Sequence, residues 1–467
     1  MDDDHRSLRA FARRATGLRA LGVLVLATVL SGCWLQLGAG PANTRFNGLE
    51  DELTRANVAS LAVRWRTPID SFVTEPIVSG GRIFVTNRAD DDSGQFLGVL
   101  AVQAYDRDTG ALLWQRSLLP GAGAEVSGNV ATPALEDGAL WVPYWHDGLG
   151  PCDGRLARLD PATGAVLSSD ATGWQQSDVV AAGSTVAYMQ ATCTGGPQLV
   201  VRDRTTRAVR WTHTFPSGAG VATPTIGGGR LFLNTGGTLH AFAADGCGAS
   251  TCTPVWTEAV GRSFFDFLRP VAGPGGTLVT VGPSGGPGSA GTVVVRDAAT
   301  GDVRWRAPER YDGPLPGAIT GVAVDGDTIH VAGARADVED PSEREAILDA
   351  YPLAGCGQAI CEPAWTTSFG ATRPAREPTV AGGVVYVPLV AGDTTAPAVA
   401  AADADGCGSS TCGELVRVPL VGGSGPFLQS AQPYVTSAAE GGVFVGWLPD
   451  LYGPTRSQLI ALTAGGR

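Results

Sequence analysis

The 467-residue chain contains no lysine: all 33 of its basic residues are arginine. That absence excludes a P-loop lysine, a lysine Schiff base and a pyridoxal anchor. Positive charge is also short. The net charge of −12 leaves no basic surface for nucleic acid, so none is expected as a partner. Histidine is scarce, and His146, His213, His240 and His330 lie far apart in sequence. No two have metal-ligand spacing, so no metal site is expected. "GPSGG" (282–286) carries the pattern of a nucleophile elbow but lies in a Gly/Pro loop between strands, and no helix follows "GPSGGPGSAG" (282–291) to make a phosphate loop. Asp90, Asp91 and Asp92, and "DGD" (325–327), lack the ligand run of a calcium loop. No catalytic residue is assigned. What the chain has in abundance is Gly (65) and Pro (31), the material of many tight turns.

The N-terminus reads as a targeting segment. Arg6, Arg9, Arg13, Arg14 and Arg19 precede "ALGVLVLATVL" (20–30), an apolar run too short to span a bilayer as a folded helix. It runs into "LSGC" (30–33), which resembles the lipobox of bacterial lipoproteins. The resemblance implies a signal peptide over 1–32 and palmitate-type lipidation of Cys33. It also implies a lipidated N-terminus and short linker over 33–45. The protein would then sit on the outer face of the cytoplasmic membrane or in the periplasm, held to the membrane by lipid. Arg13-Arg14 lacks the rest of a twin-arginine context, so general secretion is expected.

Beyond Cys33 there are eight cysteines, an even set behind an export signal, which reads as disulfides. Six fall in three loops of one kind: "FAADGCGASTCTPVW" (242–256), "YPLAGCGQAICEPAW" (351–365) and "ADADGCGSSTCGELV" (402–416). They pair Cys247 with Cys252, Cys356 with Cys361, and Cys407 with Cys412. Zinc would need clustered pairs with histidine nearby, and redox chemistry would need Cys-x-x-Cys. Neither is present, so staples are favoured. These loops occupy the slot that elsewhere holds an Asp-x-x-Thr-Gly turn, as in "YDRDTGALLW" (105–114), "LDPATGAVLS" (159–168), "RDRTTRAVRW" (202–211) and "RDAATGDVRW" (296–305). Asp caps such a turn and Gly takes its positive φ.

A second element, strand–Gly turn–strand, precedes each of these turns and recurs eight times, from "EPIVSGGRIFVTN" (75–87) to "VTSAAEGGVFVGW" (435–447). Its second strand alternates β-formers with small or polar residues, the pattern of a half-buried strand. Each unit is therefore four strands, a to d. The last unit stops after strand c (457–467). Its strand d is supplied from the other end of the chain by "LAVRWRTPI" (61–69), which closes a ring and removes its open edges.

With these residues in view, the chain resembles the PQQ-type eight-bladed β-propellers, an all-β fold, over 46–467. "AYDRDTGALLW" (104–114) matches that family's tryptophan-docking motif in full. The resemblance implies that Trp65, Trp114, Trp211, Trp256, Trp305 and Trp365 pack between neighbouring blades. Arg207 in place of Gly, and Ser168 and Val416 in place of Trp, depart from the pattern. Catalytic members bind PQQ and calcium on the axis, commonly against a disulfide between adjacent cysteines. This chain has no adjacent cysteines, and no Glu/Asn/Asp set can be matched. Other members are lipoproteins without a cofactor, such as the one in the outer-membrane barrel-assembly machine.

Chain direction puts turns a–b and c–d on one face, here the turn face, and connections b–c and d–a on the other, the loop face. Cys152 and Cys193 fall in b–c segments of adjacent blades, within bridging reach. Long b–c segments gather aromatic and acidic residues on the loop face: Trp145, His146, Asp147, Trp447 and Tyr452. They could hold a peptide, a sugar or a cation, or be solvated loops. The reading that follows is a non-catalytic envelope scaffold for a protein or peptide partner, with no cofactor expected. A PQQ/calcium dehydrogenase or cofactor carrier is the alternative. A sugar hydrolase using paired loop carboxylates is a third.

Overall fold

A computed structural model describes residues 32–69, 71–89, 100–118, 128–146, 152–174, 176–260, 268–283, 291–311, 319–336, 344–390, 396–420, 432–448 and 457–465. They form eight sheets, each one blade, arranged as a β-propeller. Blade 1 runs Ile77–Ser79, Arg82–Ala89, Leu100–Asp106 and Leu112–Ser117 as strands a to d. The ring closes as expected. Leu61–Ile69 pairs antiparallel with Ser457–Ala464 and becomes strand d of blade 8.

Strands b and c differ from the half-buried expectation. Every residue of Val384–Leu389 and of Ala398–Asp403 in blade 7 is buried. Blades stack face to face, so their middle strands have no solvent side, and Ala and Val at alternate positions let the sheets approach. The outer strand keeps a solvent side: Leu112–Ser117 is largely exposed, and Leu61–Ile69 alternates between exposed and half-buried residues. The core is therefore a series of layers between blades. One joins Phe444 and Leu459 of blade 8, Ile83 and Phe84 of blade 1, and Leu140 of blade 2.

The three short cysteine pairs and Cys152–Cys193 are all disulfides. The clipped loops also reach sideways. Thr411–Cys412 pairs in parallel with strand d of blade 6, and Thr251 and Ile360 bridge likewise to Thr212 of blade 3 and Arg306 of blade 5. Each staple thus holds a short extra strand against the preceding blade's open edge.

Residues 34–45, expected as a linker, line the hub. This stretch and the two residues after it visit the inner strand of every blade. Trp34 pairs with Val78, Leu35 accepts from Leu135 N, and the Gln36 side chain brackets Ala181. Pro41, Ala42, Thr44 and Arg45 carbonyls then accept from Ile226, Ala272, Val324 and Val380. Asn47 Nδ2 donates to Ala438 O of blade 8 at 2.9 Å. Going round so tight a circle puts Ala39, Asn43 and Arg45 at positive φ, and the hydrogen bonds to eight blades offset that strain.

Candidate functional site

Two places could carry function: the axis, and the interface between blades 2 and 3. The axis is a charged layer just inside the hub segment. Glu75 is buried and accepts from Trp34 Nε1 (2.8 Å), Gly38 N (2.8 Å) and Arg45 Nη1 (2.9 Å). Arg45 also donates to Pro378 O and Thr436 O. Burial opposes its charge, but Glu75 and Glu377 together hold its pKa above the ordinary arginine value. Asp178 accepts from Thr132 N and Thr223 Oγ1. Arg269 donates to Leu37 O, Asn43 Oδ1 and Pro224 O, and burial draws its pKa down to about 10. Three carboxylates and two guanidinium groups share this layer.

These donors do not fit PQQ with calcium. A calcium ion takes six to eight oxygens. Here Glu75 and Asp178 are taken up by protein donors, and two buried arginines would face the cation. Among the described residues no group of three or more His, Cys, Asp or Glu could hold a metal.

The tryptophans dock as a relay, each against the turn of the following blade. Trp65 Nε1 donates to Arg107 O, Trp114 to Pro161 O, Trp256 to Ala298 O and Trp305 to Leu353 O. Each ring lies over the turn glycine. A Cβ on Gly110 would come within 2.6 Å of Trp65, and one on Gly355 within 2.6 Å of Trp305. Trp211 over Gly246 and Trp365 over Gly406 repeat the contact. The glycine thus supplies positive φ and also clears room for the ring.

Two of the three sequence departures, Ser168 and Arg207, prove to be one. Ser168 stands in blade 2 where the tryptophan would be, and Arg207 stands at φ 64° in the blade 3 turn it would cover. Without a ring above, that turn tolerates a side chain, and Arg207 pairs with Asp170 at 3.7 Å. The same interface holds an open cleft of about 280 Å³, lined by Thr172, Gly173, Gln190, Gln198, Arg202 and Thr212 among others. It is also the interface that Cys152–Cys193 ties together, with Cα atoms 5.7 Å apart. Sequence reading named Ser168, Arg207 and the cysteines but could not see that they meet.

The proposed binding-face residues separate. Trp145 is half-buried at the loop-face end of blade 2 and packs edge-on against Trp174 at 5.5 Å, a partner the sequence reading missed. His146 is 1% exposed and stacks on Tyr144, so it is core, not surface. Trp447 is buried between blades 7 and 8. Asp147 and Tyr452 lie outside the described residues. Cys33 is half-buried at the turn-face end of the axis, its Sγ 3.3 Å from Ser79 Oγ.

His240 belongs to a ring cluster with Phe215 and Phe242, and burial, then His213, pushes its pKa from 6.5 down to about 4. The folded state thus binds this proton less readily than the unfolded chain. Stability should fall as pH drops from 6.5 to about 4 and level off below. Urea titrations across that range should show a shallower slope for His240→Gln. An unchanged slope would sink the assignment.

The fold defines the protein as an eight-bladed propeller of the PQQ type. The chain belongs to the family described as outer membrane protein assembly factor BamB, whose pattern it matches over residues 36–172 and 152–313. No curated protein matches it in sequence. Among solved structures it is similar to quinohemoprotein alcohol dehydrogenase from Comamonas testosteroni (TM-score 0.63, 15% identity, covering 96% of this chain and 82% of that one). It is also similar to a europium-containing methanol dehydrogenase (0.62, 13%, 93% and 98%). The structure of BamB from Moraxella catarrhalis aligns at 0.50 with 14% identity, over 87% and 98%. At these identities the likeness is one of fold.

Proposed function

We propose that the protein is a cell-envelope lipoprotein, anchored through Cys33, whose propeller is a non-catalytic binding or assembly scaffold. The observation that carries this is the hub. Residues 34–47, the Arg45–Glu75 ion pair and the hydrogen-bonded side chains of Asp178 and Arg269 occupy the axis where a quinoprotein-type enzyme would hold PQQ and calcium. The description of the matching family as an assembly factor supports a protein or peptide partner in the envelope. The partner's docking place is the loop-face end of blades 2 and 3. There Trp145 and Trp174 sit beside a cleft whose carboxamides and hydroxyls are those of Gln190, Gln198, Thr172 and Thr212.

The test is the thermal unfolding midpoint of the detergent-purified protein, with and without saturating PQQ plus calcium. A ligand that binds only the folded state raises the midpoint. No shift is expected. A saturable rise requiring both additives would replace the scaffold reading with the dehydrogenase or carrier reading.

A further inference from the structure

The hub segment fixes how the propeller stands on its membrane. Trp34 is fully buried and already paired with Val78, one residue beyond Cys33. From there to Asn47 the chain is bonded to all eight inner strands, so no slack separates the attachment point from the rigid body. Cys33 lies at the inner rim of the turn face, between blades 8 and 1, beside Ser79, Gly80 and Glu440. The a–b turns of that face close tightly on glycines at positive φ, including Gly80, Gly138, Gly183, Gly228, Gly275, Gly326, Gly382 and Gly441. A rigid body tethered without slack at the inner rim of one face cannot turn over without pulling its anchor out of the bilayer.

We infer that the propeller rides with its turn face against the lipid surface and its loop face, with the blade 2–3 cleft end, directed away. This rests on membrane attachment at the N-terminus, as proposed above. The orientation follows wherever the membrane attachment lies at or ahead of Cys33, because the chain becomes rigid at Trp34. It also means that nothing reaches the hub from the membrane side, so partners approach from the loop face.

Blade 3 offers a matched pair of probes. Ser184 is exposed in its a–b turn, and Ser217 is exposed in the d–a connection that follows it. One strand length separates them, roughly 20 Å at 3.3 Å per residue. Full-length Ser184→Cys and Ser217→Cys proteins, each carrying the same fluorophore, are reconstituted on phosphatidylcholine vesicles containing headgroup spin-labelled lipid. Severalfold stronger quenching at position 184 is expected. A flexible Gly/Ser insert of about 20 residues between Cys33 and Trp34, with a reach of about 25 Å, should erase the difference. Mass spectrometry of the N-terminal peptide separates the two ideas. Stronger quenching at 184 without lipid on Cys33 upholds the orientation and defeats the lipid anchor. Equal quenching, or stronger quenching at 217, overturns the orientation whatever the anchor. Failure to bind vesicles overturns both.

Discussion

Replacing Glu75 with alanine should cost about 3–5 kcal/mol, the usual penalty for breaking a buried ion pair by removing one partner. Glu75 and Arg45 are 2% and 3% exposed, so no water can take over the lost contact. Alanine would strand the Arg45 charge and orphan two further donors, Trp34 Nε1 and Gly38 N. Those donors belong to the hub segment, so the damage should start there. Hydrogen exchange across residues 34–47 should accelerate more than in the blades. The cost is one of stranded charge, so replacing both partners, Glu75→Gln with Arg45→Met, should destabilise less than Glu75→Ala alone. Equilibrium urea unfolding of the wild type, Glu75→Ala, the singles Glu75→Gln and Arg45→Met, and the double variant checks this. If the double variant loses as much as the two singles added together, the pair is not coupled and the hub is held by its backbone bonds.

The blades were legible because each repeats a local physical need. Asp106, Asp160, Asp203 and Asp297 each accept backbone N–H groups two and three residues on. That geometry depends on neighbouring residues alone, so it appears as a motif. Closure was legible too, because a unit lacking strand d and a spare strand with Trp65 can be counted. The hub segment was not. Its residues contact eight different blades, so "WLQLGAGPANTRFN" (34–47) has no period and reads as a loop. Glu75, Asp178, Arg269 and Glu377 come from equivalent positions ahead of strand a in four repeats. They face one another only across the closed ring, which no linear spacing records. The blade 2–3 interface failed for a related reason. Ser168 and Arg207 are 39 positions apart, and each looks like an isolated lapse until the relay of Trp114 over Gly164 and Trp211 over Gly246 shows that they share one slot.

Removing Cys152–Cys193 should cost about 4 kcal/mol, roughly twice the loss from removing any one short clip. The chain-entropy argument gives that ratio, since its cysteines are separated by 41 residues and those of each clip by 5. Packing adds to the contrast. Each clip lies at its blade's interface with the preceding blade, where a tryptophan docks, Trp211, Trp305 or Trp365, whereas blades 2 and 3 have Ser168 opposite Arg207 and an open cleft. Without the disulfide, blades 2 and 3 are still joined by a buried apolar layer, Trp141 and Leu156 against Val186, Tyr188 and Val200. Toward the outer strand the links are polar: Arg204 with Glu136, Arg207 with Asp170, Arg202 Nη2 to Ala171 O at 3.3 Å, Gly173 N to Gln190 Oε1, and the bridge from Trp174 to Ala191. Two of these polar links are partly exposed ion pairs, worth little in salt. The Cys152→Ser, Cys193→Ser protein should therefore open first at this seam. Hydrogen exchange should rise around residues 171–174 and 188–191 while blades 5 to 7 stay protected. The Cys247→Ser, Cys252→Ser protein should lose protection only near residues 212 and 251. Partner capture should follow the seam and not the clip, because the cleft and the Trp145–Trp174 pair keep their shape only while blades 2 and 3 stay in register. Equal destabilisation by the two double variants, with exchange spread over the whole ring, would mean that the seam is no weaker than its neighbours and that the missing tryptophan is compensated in full by the polar contacts.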